Sequence, residues 1–264
     1  MVTLPLKFLQ LLYALPLLRV KSFNILPQCG LAPHLFLEKL RMERNYHAPA
    51  NISVDPDELN WRSAFHEAGH ASAIHIGNKK KRLPPVYFEI VIKKPKYAHD
   101  HFFAKVVEGN LIQNLPIAMM ESFSRLSGCV QQSCQHAYEA DVINLLVGPL
   151  AEAKYVACRD NQIFKFEFIK PEALHHYGGY SDLETVQSYL DSFIAAKELR
   201  EEKLMELMAQ AFNFIDNKRN WRCILNLARH ILNCGQETIS CDEAIDIMDN
   251  SLAVRKWTPA VLKF

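Results

Sequence analysis

The segment Phe65-His66-Glu67-Ala68-Gly69-His70-Ala71 constrains this chain more than any other. Ahead of it, Asp55-Pro56-Asp57-Glu58 is a helix start, with a proline early and acids in the first turn. The pattern predicts a helix running through Ile76 and stopping at Gly77. On a helix, residues i and i+4 lie about 40° apart around the axis, so the His66 and His70 imidazoles leave the same face. Such a pair suits two neighbouring ligands of a tetrahedral Zn²⁺ ion. Glu67 is turned about 100° from His66. It can therefore act as a general base toward a metal-bound water without ligating the metal itself. Ala68 and Gly69 are small, which lets another element pack close behind the pair.

A catalytic zinc site takes three protein ligands and keeps one position open. No His-x-x-Gly-x-x-His continuation follows His70, and His75 points away from the pair. Glu139, Asp141, Glu152, His175, His176 and Asp182 all remain candidates for the third ligand, and spacing alone does not choose among them. Asp182 also reads as a plain capping acid, because Ser181 is a good N-cap and an acid in a first turn is favoured by the helix dipole. His99-Asp100-His101 reads as an exposed polar run rather than a second metal site.

With 264 residues and 49% hydrophobic content, the chain can bury a substantial core. The expected organisation is an apolar N-terminal segment and linker over 1–52, a domain over 53–251 and a tail over 252–264. The domain is expected to be mainly α with a small β-hairpin or sheet. Residues 86–92 are β-branched and aromatic and read as a strand, with Phe102–Val107 as its partner. That first strand reads equally well as half of a hairpin covering the core and as an open edge for an extended peptide. Helices are expected over 115–127, 136–158, 182–197, 199–216, 219–233 and 241–251, with a shorter helical pattern at Leu35–Arg44 in the linker. Ser181-x-x-Glu184 and Ser240-x-x-Glu243 have the form of capping boxes. Lys79–Arg82 reads as a solvated basic turn.

Composition removes several function classes. Thirty basic against 29 acidic residues leaves no electrostatic reason to expect nucleic acid as a partner. None of the nine glycines begins a Gly-x4-Gly-Lys-Ser/Thr phosphate loop. Seven cysteines without a Cys-x-x-Cys pair point to reduced thiols and a cytoplasmic setting. In the leucine-rich stretch Met1–Val20, the apolar part from Phe8 to Leu18 is about half of what a bilayer crossing requires. A packed or partner-binding helix, membrane contact at the interface and a secretion signal all stay open for residues 1–20.

Taken together, these motifs resemble the peptidase domain of the FtsH family of ATP-dependent zinc proteases. Residues 66–71 match that family's His-Glu-Ala-Gly-His-Ala helix, and 86–93 lie where it has a short strand. Val147-Gly148-Pro149-Leu150-Ala151-Glu152 is similar to its Gly-Gly-Arg-x-Ala-Glu segment. Gly178-Gly179-Tyr180-Ser181-Asp182-Leu183 is similar to its Gly-Ala-x-Asn-Asp-Leu/Ile segment. The resemblance spans residues 55–250. It implies an α-helical metallopeptidase domain with Zn²⁺ as cofactor, Asp182 as third ligand beside His66 and His70, and Glu67 as catalytic base. Glu152 becomes the candidate for orienting a ligating imidazole.

Two departures stand out: Pro149 replaces the family's arginine, and Ser181 replaces its asparagine. Ahead of the peptidase-like region stands a short apolar and linker stretch where the family carries its ATPase. The resemblance thus implies a zinc endopeptidase acting without ATP on unfolded protein or peptide substrates, or on chains delivered by a separate unfoldase. Because the family forms rings, a homo-oligomer is a further expectation. Two rivals are a catalytically silent FtsH-like binding module and a zinc hydrolase of a non-peptide amide. The intact His66-Glu67-His70 set favours the peptidase.

Overall fold

The protein is described by a computed structural model covering residues 56–94, 102–112 and 128–253. The expectations made for 1–52, Asp55, His99–His101, the helix 115–127 and the tail beyond Ala253 lie outside these residues. The fold is mainly helical, with one three-stranded antiparallel sheet. Among the described residues, no helix is long and apolar enough to cross a membrane.

Helix α1 spans Pro56–Ser72 and carries both histidines. It does not stop at Gly77 as expected. A π-helical turn, Ala73–Gly77, leads into a further turn, Asn78–Lys80. Gly77 keeps ordinary helical angles, and the chain reverses instead at Arg82, which takes a positive φ of 57°. There the Leu83 N–H reaches the Asn78 carbonyl (3.0 Å) and the Arg82 N–H reaches that of Lys79 (3.1 Å). This is the Schellman arrangement, and it satisfies two end carbonyls without a glycine. Lys79–Arg82 is solvent-exposed, as expected of a solvated turn.

Strands β1 (Phe88–Lys93) and β2 (Phe103–Glu108) pair antiparallel along their full length, with Ile90 opposite Val106. Side chains alternate across a strand, and Phe88, Ile90 and Ile92 accordingly face the core. A two-residue strand β3 (Thr238–Ile239), which the sequence pattern did not indicate, pairs with the other side of β1. The sheet order is β2-β1-β3, so β1 is the central strand. The open-edge reading of residues 86–92 is therefore corrected, and among the described residues the outer strands are β2 and β3.

Helix α2 spans Gly128–Arg159, 32 residues, and begins earlier than the expected 136. It continues through Pro149, which has no N–H to give the carbonyl one turn back. Two 3₁₀ turns follow, Phe166–Phe168 and Pro171–Tyr177. Then come α3 (Tyr180–Phe193), α4 (Lys197–Asp216), α5 (Lys218–Asn233) and α6 (Cys241–Ala253). Ser181 is not the cap of α3. The helix starts two residues earlier than expected, at Tyr180 after Gly179, with no side-chain cap. Ser240 does cap α6, its Oγ accepting from the Glu243 N–H at 3.3 Å.

The core forms where α1 crosses α2 and α5. Ala64, Phe65, Ala68 and Ala71 of α1 are fully buried, as are Leu146, Val147, Leu150 and Ala151 of α2. Phe65 stacks on Tyr155 and Trp221, with ring centroids 4.5 and 5.3 Å apart. The expectation that the small pair Ala68-Gly69 admits a close neighbour holds. A Cβ on Gly69 would stand 2.9 Å from both the Ala151 Cβ and the Val147 carbonyl. The described cysteines, Cys134, Cys158, Cys223, Cys234 and Cys241, are all free thiols.

Candidate metal centre

His66 and His70 project from one face of α1, their ring centroids 4.7 Å apart. Facing them is Asp182, in the first turn of α3. Its Oδ2 lies 3.0 Å from His66 Nε2 and its Oδ1 lies 3.6 Å from His70 Nε2. One ligand atom from each residue can be chosen so that all three lie within 4.8 Å of one another. Among the described residues, this is the group of three or more His, Cys, Asp or Glu side chains able to close around one ion.

The far side of each ring determines what the near side can do. His66 Nδ1 sits 3.1 Å from the Tyr177 carbonyl and 3.2 Å from Glu152 Oε2, and both oxygens accept. His70 Nδ1 sits 2.8 Å from the Asn144 carbonyl. A backbone carbonyl cannot donate, so both rings carry their proton on Nδ1, and the neutral rings turn Nε2 lone pairs toward Asp182. Two lone pairs and a carboxylate converging in a buried place repel one another. The cluster is satisfied by protons or by a cation among its atoms. Two imidazole nitrogens and one carboxylate oxygen form a donor set that suits zinc.

Ionisation without metal follows the same logic. Burial pulls the His66 imidazole toward its neutral form. Hydrogen bonds to Asp182 and Glu152, with the charges of Glu67 and Asp182, outweigh that and hold its pKa well above the ordinary histidine value. His70 is raised too, burial and His66 working against Asp182 and Glu67. For Asp182, burial pushes upward, but the two histidines dominate and hold it well below the usual carboxylate range.

Two glycines make this geometry possible. A Cβ on Gly148 would lie 2.3 Å from both Cε1 and Nε2 of His70, so the ring rests directly on the α2 backbone. Gly178 takes a positive φ of 68°, and its own Cβ would fall 3.0 Å from Glu152 Oε2 and 3.1 Å from His66 Nδ1. It turns the chain from the second 3₁₀ segment into α3. Pro149 packs against this turn, since a Cβ on Gly179 would meet the proline ring at 2.8 Å.

The other third-ligand candidates are occupied elsewhere. Glu139 pairs with Lys203 at 3.2 Å. Asp141 accepts from the Leu111 and Ile112 N–H groups and from the Tyr189 hydroxyl. His175 and His176 are exposed on the 3₁₀ turn, and His75 binds Asp249 at 2.9 Å. Glu152 stands behind His66 rather than among the ligand atoms. Glu67 is partly buried, and its Oε2 accepts from the Val106 N–H of β2 at 2.6 Å. That bond ties the carboxylate to the outer strand β2 of the sheet.

Residue patterns did not reveal Arg62, whose Nε donates to Glu152 Oε1 at 2.7 Å. The available signal was its place one turn before His66 on the same helix face. The carbonyls of Asn144 and Tyr177 and the N–H of Val106 leave no signal in a sequence, because every residue but proline carries both groups. No protein-family model matches this chain, and no curated protein matches it.

Proposed function

We propose that this chain is a zinc-dependent endopeptidase of the FtsH type, hydrolysing peptide bonds in unfolded or delivered protein substrates. One observation carries the reading: His66, His70 and Asp182 converge with both Nδ1 atoms turned to acceptors, and Glu67 follows His66 on the same helix. His66 and His70 would hold the metal through Nε2 and Asp182 through a carboxylate oxygen. Bound zinc supplies a Lewis acid that brings water to an acidity near neutrality and polarises a carbonyl. Glu67 takes one proton from the attacking water and later returns it to the leaving amine. Its second carboxylate oxygen serves this role while Oε2 stays on the Val106 N–H, which aims the base. The 264 residues hold no phosphate loop.

The test combines metal content with proteolysis. Purified protein is expected to hold one zinc per chain and to degrade an unfolded protein such as casein. Glu67→Gln should retain the zinc and lower the rate by at least about 100-fold, the scale of general-base loss. Equal degradation by wild type and Glu67→Gln would sink the peptidase reading. Zinc uptake without any hydrolysis would favour the silent module.

A further inference from the structure

Arg62 is absent from the ligand set and from the chemistry above, yet it joins α1 to α2 and to the 3₁₀ turn that leads into α3. It lies on α1 one helical turn before His66, with its side chain only 12% exposed. Its Nε donates to Glu152 Oε1 of α2 at 2.7 Å, and its Nη2 donates to the His176 carbonyl at 2.8 Å. Glu152 is itself buried, and its other oxygen is the one facing His66 Nδ1. A buried carboxylate without a partner is costly, and the guanidinium compensates it while leaving one oxygen for the imidazole.

The second arm reaches further. The carbonyls of His176 and Tyr177 are successive, and they are held by Arg62 and His66, which are successive turns of one helix. Only Gly178 and Gly179 separate this gripped turn from the start of α3, whose first turn carries Asp182. An arginine suits the position because its fork is rigid and reaches two acceptors at once, whereas a lysine ammonium is a point donor on a flexible stem.

We propose that Arg62 is a positioning residue of the metal centre. One arm holds Glu152 against His66, and the other holds the turn that delivers Asp182. The inference rests on the zinc reading, so its test reads metal affinity rather than hydrolysis. Zinc affinity is measured on the full chain by competition with a chromophoric chelator, alongside the thermal midpoint of the metal-free protein. Arg62→Ala is expected to bind zinc 10- to 100-fold more weakly, the range typical of outer partners of a ligand. Arg62→Lys should fold like wild type and lose a smaller, several-fold part of the affinity. In combination with Glu152→Gln, the Arg62 loss should shrink, because part of it acts through that carboxylate.

Wild-type affinity in Arg62→Lys overturns the proposal even if Arg62→Ala fails to fold. So does an Arg62→Ala affinity within about twofold of wild type, or strict additivity with Glu152→Gln. If the wild-type chain takes up no zinc, the metal reading fails and the clamp falls with it. The affinity series distinguishes that failure from failure of the clamp alone.

Discussion

Asp182 and Asp141 are two shielded aspartates on neighbouring helices, and both stood as candidates for the same role. Asp141 is completely buried, and among the described residues its carboxylate accepts from two backbone N–H groups and a tyrosine hydroxyl, all neutral donors. Burial dominates there and pushes its pKa up to about 6, although all three hydrogen bonds pull the other way. Asp182 is partly buried and meets two imidazoles, which hold it well below the usual range despite burial. The difference lies in the partners. Neutral donors pin a loop to a carboxylate, whereas two titratable nitrogens beside one create a place that attracts positive charge.

The largest expected effect tests that division directly. Asp182→Ala should weaken zinc binding by more than about 100-fold, beyond the loss of an outer partner. Asp141→Asn should leave zinc affinity within about twofold while loosening residues 111–112. Metal analysis with chelator competition on both variants decides it, and full zinc occupancy in Asp182→Ala would remove that residue from the site.

Gly148→Ala comes next. The new methyl group would stand 2.3 Å from the His70 ring. It should displace the ligand, lower zinc affinity and cost about 1–3 kcal/mol of stability, as overpacking does. Gly235→Ala is the matched control, since a Cβ there has open space around it. Chemical denaturation of both variants, with and without zinc, measures the contrast.

Acidification should move the two aspartates in opposite directions. Asp141 has a folded pKa near 6 against an ordinary 3.8, so its contribution to stability is full below 3.8 and is lost as pH rises through 6. Lowering the pH of zinc-free protein from 7 to 5 should therefore stabilise wild type relative to Asp141→Asn, by roughly 1.3 kcal/mol. Asp182 has a depressed pKa, so its contribution is present above 3.8 and is lost as pH falls below that value. Denaturation curves of wild type, Asp141→Asn and Asp182→Asn between pH 3 and 7 separate the two. The smallest effect belongs to Tyr189→Phe, which removes one donor from Asp141. It should cost about 1 kcal/mol in thermal stability and leave zinc binding unchanged.

Legibility in the sequence differs between the parts of the site. His66, Glu67 and His70 could be read directly because their relation is internal to one helix. Asp182 came only through resemblance, since it lies 116 residues from His66 and shared its residue type with other plausible acids. In the fold, the helices from residue 136 onward and the β1–β2 pair were legible from periodicity, whereas the first turns of α2 over 128–135 were not. The true end of the first helix was not, because Arg82 rather than a glycine takes the left-handed turn. The central place of β1 was hidden as well, since its second neighbour is a two-residue strand from beyond α5.

Residue order alone thus settles what lies within a few residues' reach: the phase of α1, the shared face of its two histidines, and the capped start of α6. Helix geometry is short-range, and local spacing sets it. Which acid completes the cluster, which carbonyls orient the rings and which N–H aims Glu67 were settled by packing. The close crossing of α1 over α2 at Gly69 and Gly148, and the reversal at Gly178-Gly179, bring distant groups together. No spacing rule within a single element encodes that convergence.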